Sequence, residues 1–283
     1  MTERYETRLP VSDIFLNVIE EGEGPTILLL HGFPQLSFSW DPIIRHLSNN
    51  FHVVAPDQRG YGNSDIPSGV EAYQIQHLIS DIRGLIRFLD RGKVILVGHD
   101  WGGTVGWVLA QQHPELLKGL FVINGPHPAI FARQLAQNGV QREAASYINN
   151  LLSNSAEALL ESQQYSPLLN LFGEFLDPKE IERHRLAYAN GDSLTGMLNW
   201  YRAHFQLGPS ALPQWVSDQI VKVPTHVLWG MADQQLLREN LTDLDHYVTN
   251  LKVTTIENGG HWLLQQLPDR VACEIRSWLE SLA

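Results

Sequence analysis

Cysteine is almost absent from this chain. A single one, Cys273, stands among 283 residues, so no intrachain disulfide can form. Its place in the periodic pattern of residues 271–279 reads as a buried helical position and not as a reactive thiol. Positive charge is scarce too. Lys and Arg number 20 against 31 Asp and Glu, a formal net charge of −11, which argues against nucleic acid or an anionic membrane as the main partner. Long apolar runs are missing. Thr26-Ile27-Leu28-Leu29-Leu30 is far too short to cross a bilayer, and the N-terminal Met1-Thr2-Glu3-Arg4-Tyr5 begins a stretch without the apolar core of a signal peptide. The expectation is a soluble protein of a reducing, cytoplasmic compartment, with no nucleic-acid or membrane partner.

What the chain does have is a globular composition, 43% hydrophobic and 18% charged. Short apolar runs at 27–30, 52–55, 94–97, 120–123, 226–229 and 253–256 read as strands, several buried on both faces. Helical periodicity at 40–47, 75–89, 104–112 and 270–282 alternates with them. The alternation predicts an α/β fold with a mostly parallel central sheet flanked by helices. Residues 15–20, alternating ahead of Gly22-Glu23-Gly24, read as an antiparallel edge strand. From about Pro128 to Trp215 the strand signal stops and helical spacing takes over, until alternation resumes at Val223-Pro224. The economical division is a core in two parts, 1–128 and 216–283, with a helical cap at 129–215 inserted over the carboxyl ends of the strands, where open α/β sheets place ligands.

Residues 94–103 run Val-Ile-Leu-Val-Gly-His-Asp-Trp-Gly-Gly. An apolar strand, a Gly-x-Asp-x-Gly turn and a helix in succession have the spacing of a nucleophile elbow, with Asp100 where a hydrolase serine would stand. The flanking glycines suit a turn too tight for side chains, and a carboxylate at a helix start meets favourable N–H groups. Such a carboxylate can attack an electrophilic carbon and form an ester, but it is a poor peptidase. The second step then needs a base to activate water, and the base needs an orienting partner. His261, in Gly259-Gly260-His261-Trp262 after the last strand, and Asp233, after the preceding strand, open on the same sheet edge as Asp100. The loop His31-Gly32-Phe33-Pro34 can aim the Phe33 backbone N–H at an oxyanion, partnered by the N–H of Trp101. His31 and His99, at buried strand ends, read as loop braces, and Asp57 with Arg59 as a structural ion pair or brace. His204, Glu180, Glu182 and His184 are scattered and read as solvated helix faces, so no metal site is expected.

Taken together, His31-Gly-Phe-Pro34, Asp57-x-Arg-Gly-Tyr-Gly-x-Ser64, Gly98-His-Asp-Trp-Gly-Gly103, Asp233 and Gly260-His261 resemble the α/β-hydrolase superfamily, in the branch of epoxide hydrolases and related dehalogenases. The likeness covers the whole core. It implies two cap tyrosines that hydrogen-bond the epoxide oxygen. Asn199-Trp200-Tyr201-Arg202 resembles the segment that carries one, and Tyr147 in Ala145-Ser-Tyr147-Ile148 lines up with the other, although Ile148 stands where a Gln is usual; Tyr165 is the alternative. The resemblance further implies Asp100 as nucleophile, His261 as base, Asp233 as its orienter and no cofactor. Phe33, Trp101, Trp200 and Trp262 are expected to wall an apolar pocket for a small epoxide, in a monomer or homodimer. A haloalkane or haloacid dehalogenase using the same set is the alternative activity, with the Trp101 indole as a halide donor, and a non-catalytic ligand-binding module is a third.

Overall fold

Every apolar run of the sequence is a strand. The computed structural model describes residues 3–137, 139–205 and 217–282. Its eight strands are β1 (Arg4–Pro10), β2 (Phe15–Glu21), β3 (Thr26–Leu30), β4 (His52–Pro56), β5 (Val94–His99), β6 (Leu117–Ile123), β7 (Thr225–Gly230) and β8 (Leu251–Ile256), in the spatial order β1-β2-β4-β3-β5-β6-β7-β8. β3 to β8 run parallel, and β1 and β2 are antiparallel additions. β3, β4, β5 and β7 are buried along their whole length, as a sheet covered on both faces requires. β2 is not the edge strand expected from its alternation: β1 pairs with it along seven residues and takes the edge. β1 is exposed at six of its seven positions, so no apolar run announces it.

Helices α1 (Asp41–Leu47), α2 (Ile75–Leu89) and α3 (Trp101–Gln112) follow β3, β4 and β5. The spacing of Ile75, Leu78, Ile79, Ile82, Leu85 and Ile86 gives α2 one apolar stripe, which packs with α3 on one face of the sheet. Between β6 and β7 the described residues form only helices: α4 (Pro128–Ala136), α5 (Val140–Ala144), α6 (Tyr147–Leu151), α7 (Ala156–Leu169), α8 (Pro178–Tyr188) and α9 (Ser193–His204). The expected cap boundary at 215/216 lies outside the described residues. Short α10 (Leu263–Gln266) and α11 (Pro268–Leu282) close the chain, and α11 packs with α1 on the opposite face of the sheet. Cys273 is exposed, contrary to the reading from its periodicity. The buried stripe of α11 runs through Val271, Ala272, Ile275, Trp278 and Leu279, and Cys273 lies roughly 200° around the helix from Val271.

The loop after β4 ties the helical insertion to the core. Arg59, almost fully buried, donates from Nε to Asp81 Oδ2 at 2.7 Å and from Nη2 to Asp81 Oδ1 at 2.8 Å and Asp13 Oδ1 at 2.6 Å. Its carbonyl accepts from Trp200 Nε1 on α9 at 2.9 Å. The expected pairing of Arg59 with Asp57 is therefore replaced: Asp57 accepts instead from Ser37 N, Asn17 Nδ2 and Asn63 N. Both residues brace the loop, through different partners. No described helix is long and apolar enough to cross a membrane.

Candidate active site

Asp100 sits at the strand-to-helix turn with φ 51° and ψ −118°, a conformation that costs a non-glycine residue on the order of 1–3 kcal/mol. The surroundings enforce it. A side chain at Gly98 would collide with the Gly102 carbonyl, and one at Gly102 with the Leu30 carbonyl. A side chain at Gly32 would occupy the place of the Asp100 carboxylate itself. Phe33 N–H donates to Asp100 Oδ2 at 3.0 Å, and the Trp101 backbone N–H donates to the same carboxylate. The two donors read from the sequence thus converge on Asp100.

His261 follows β8 and Asp233 follows β7. The in-register parallel pairing of Ile123 with Leu228 and of Gly230 with Ile256 brings both loops to the edge where Asp100 emerges. His261 Nδ1 lies 2.7 Å from Asp233 Oδ2, and His261 Nε2 lies 3.9 Å from Asp100 Oδ1. Burial opposes charge on the imidazole, but Asp233 and then Asp100 outweigh it and raise its pKa above the ordinary value. Burial likewise pushes the Asp233 carboxyl up; His261, the Leu236 N–H and Asn124 pull it below the usual carboxylate range. Asp100 stays raised, chiefly by burial.

Asn124 was not legible as a site residue. It directly follows β6 and is completely buried, with Nδ2 donating to Asp233 Oδ2 at 2.6 Å and Oδ1 accepting from Gly230 N at 3.0 Å. With Gln235 N and Leu236 N on Asp233 Oδ1 at 2.8 and 2.9 Å, the orienting carboxylate is fully engaged. Asn124→Ala removes a hydrogen bond to a charged group, worth about 1.5–3 kcal/mol. The expected result is a fall in kcat of about tenfold to a hundredfold with KM little changed, read from steady-state kinetics of a correctly folded variant.

His99 braces His261, its ring nitrogens 2.6 Å from Gln35 Oε1 and 2.9 Å from the His261 carbonyl oxygen. His31 braces the Phe33 loop, Nε2 accepting from Gln58 N and Nδ1 donating to Gly32 O, both at 3.0 Å. His184 and His204 are buried, not solvated as expected: His184 packs between Phe38 and Phe172 and donates to Glu180 O, and His204 donates to Trp200 O. Glu180 caps α8 and Glu182 pairs with Arg185. Among the described residues no group of three or more His, Cys, Asp or Glu could hold a metal.

Two cavities meet at Asp100, and Tyr147 and Tyr201 line both. One is narrow, about 30 Å³, and is walled by Trp101, Ile148 and Phe205 among others. The other is wide, about 410 Å³, and is bounded by Phe33, His261 and Trp262 near the carboxylate. Tyr147 on α6 and Tyr201 on α9 line the same two cavities, and the Trp101 ring stands edge-on to Tyr201 with centroids 5.4 Å apart. Burial, first of all, raises both phenol pKa values above 10.0, so both stay protonated near neutrality. Tyr165 lies instead at a kink in α7, packed on Tyr188, and borders neither cavity. Trp200 is a correction: its ring lies behind Trp101 and Tyr61 with Nε1 on the Arg59 carbonyl, where it supports the wall without forming it.

A family model described as alpha/beta hydrolase fold matches residues 25–266. The chain belongs to the α/β-hydrolase fold family. Within that family it stands with the epoxide hydrolases. Epoxide hydrolase 4 of Mus musculus is 33% identical over 278 residues, which cover 93% of this chain and 76% of that protein. The AB hydrolase superfamily protein YfhM of Bacillus subtilis is 35% identical over 277 residues, 95% of each chain. The crystal structure of Bacillus megaterium epoxide hydrolase in complex with an inhibitor superposes with a TM-score of 0.91 at 31% identity, covering 97% of this α/β-hydrolase and 100% of that chain.

Proposed function

We propose that this protein is an epoxide hydrolase that converts a small apolar epoxide to a vicinal diol through an ester on Asp100. The observation that carries the reading is the pair of phenols, Tyr147 and Tyr201, lining the same two cavities as a carboxylate already seated on two N–H donors. An epoxide carbon is only modestly electrophilic, and its leaving alkoxide needs a proton donor at hand. On this reading residues 129–215 form the cap that brings the two tyrosines over the core.

In the first step Asp100 Oδ1 bonds to one ring carbon, the carbon–oxygen bond breaks, and the oxygen takes a proton from a tyrosine. In the second, His261 removes a proton from water and hydroxide adds to Asp100 Cγ. Phe33 N–H and Trp101 N–H hold the oxyanion. Collapse breaks the Cγ–Oδ1 bond, the diol oxygen takes the proton from His261, and the proton of the regenerated Asp100 acid restores the tyrosine. Ester formation also removes the Asp100 charge, one of the causes that raise the His261 pKa, which favours the neutral imidazole at the step where it takes a proton from water.

The test is His261→Gln incubated with a panel of epoxides and haloalkanes, with the intact protein weighed. The expected result is a mass gain equal to a whole epoxide, placed on Asp100 by digestion, with slow diol release. A gain equal to an alkyl group without its halogen would move the assignment to dehalogenation. Normal steady-state diol formation by the variant would overturn the division of labour between Asp100 and His261.

A further inference from the structure

The wide cavity changes character from floor to mouth. Phe33, Tyr147, Tyr201 and Trp262 give it aromatic walls, and among its aliphatic residues Leu159 and Leu171 are exposed and mark its mouth. Three primary amides, Asn150, Gln234 and Gln235, also line it. Asn150 and Gln234 are exposed and Gln235 is half-buried. The hydrogen bonds of Asn150 and Gln235 in this region are made by backbone atoms, which leaves their amide heads, like that of Gln234, without a partner among the described residues. Among the described residues lining this cavity there is no Lys or Arg. The floor holds the Asp100 carboxylate beside His261, and the whole chain carries −11.

Resting on the epoxide hydrolase reading, we propose that the substrate is an uncharged epoxide whose apolar body ends in a hydrogen-bonding group such as an amide, hydroxyl or ether, recognised by Gln234 and Asn150. Epoxides ending in a carboxylate are selected against. An amide offers both N–H and C=O, so it pairs with a neutral polar end in either sense. A carboxylate end finds no Lys or Arg at the mouth, faces the field of Asp100 and gives up part of its hydration on entering a mouth lined by leucines.

The experiment compares a medium-chain terminal epoxide ending in a carboxylate with its primary amide, matched in length, by kcat/KM at low and high salt. The amide is expected to be preferred by about tenfold at low salt, with the preference shrinking at ~1 M salt as the repulsion is screened. Gln234→Lys and Asn150→Lys are each expected to raise the carboxylate-to-amide ratio by about tenfold, and a ratio within one variant is insensitive to its overall activity. Equal or better use of the carboxylate by the native protein would overturn the proposal, as would ratios unmoved by both lysines. Failure of both epoxides to yield diol would count against the epoxide reading instead. In that event the two matched diols, titrated by quenching of tryptophan fluorescence, still decide between neutral and anionic ends.

Discussion

Asp100→Ala is expected to abolish diol formation while leaving the protein folded. Removing the covalent nucleophile of a hydrolase triad costs turnover on the order of 10⁶-fold, because neither a well-placed base nor the two backbone donors can replace the bond that the carboxylate makes. The opposite sign is expected for stability. Asp100 is buried, its pKa is raised chiefly by that burial, and its neighbours include the Asp233 carboxylate. Alanine removes the desolvated charge, although it inherits the positive φ. The expected net change is about zero to +2 kcal/mol in favour of the fold, the trade-off common at active sites. Steady-state assay with thermal unfolding checks both halves. Residual turnover within tenfold of the native protein would eliminate Asp100 as nucleophile.

Acid is expected to unfold the protein well before its carboxylates are all protonated. Six of its 12 histidines are buried with depressed pKa values: His99 and His127 at about 3, and His31, His184, His204 and His226 at about 4, in each case chiefly because burial disfavours the charged ring. Each takes up a proton near pH 6.5 when unfolded but stays neutral when folded. The unfolded state therefore binds more protons below that pH. The stability is complete above about pH 6.5 and is lost as pH falls from there toward 4 and 3. At pH 5 each histidine withdraws up to about 2 kcal/mol, 1.5 pH units at about 1.4 kcal/mol per unit. Six such terms reach the order of the 5–15 kcal/mol that holds a typical domain together. His261, with its raised pKa, acts in the reverse sense but is one group against six. Far-UV circular dichroism against pH is expected to show a cooperative transition centred near pH 5. A chain still fully folded at pH 4 would show that the buried imidazoles are hydrated or paired in the native state.

The core was legible because its physics is local. A strand buried on both faces is an apolar run whatever surrounds it, and the six runs at 27–30, 52–55, 94–97, 120–123, 226–229 and 253–256 all lie within strands. Asp100, Asp233 and His261 could be placed on one edge because parallel strands end together. What the sequence hid depends on partners distant along the chain. β1 is polar because it has only β2 to pair with. Arg59 finds Asp81 on α2, and the available clue was an acid lying on the apolar stripe between Ile79 and Ile82. Asn124 has no motif of its own; its signal is only that a polar residue ends a buried strand just where the sheet edge opens. Trp200 and Cys273 were misplaced for one reason, since periodicity tells which residues share a helix face but not what that face meets.

The two oxygens of Asp100 are not equivalent in the resting protein. Oδ2 is tethered by the Phe33 N–H, while Oδ1 lies 3.9 Å from His261 Nε2. In the proposed cycle that asymmetry divides the side chain into a permanent atom and a renewable one. Oδ2 remains in its cradle turnover after turnover. Oδ1 departs inside each diol and is replaced from water, so the first oxygen that the protein hands to its substrate comes from its own backbone-anchored aspartate and not from the solvent.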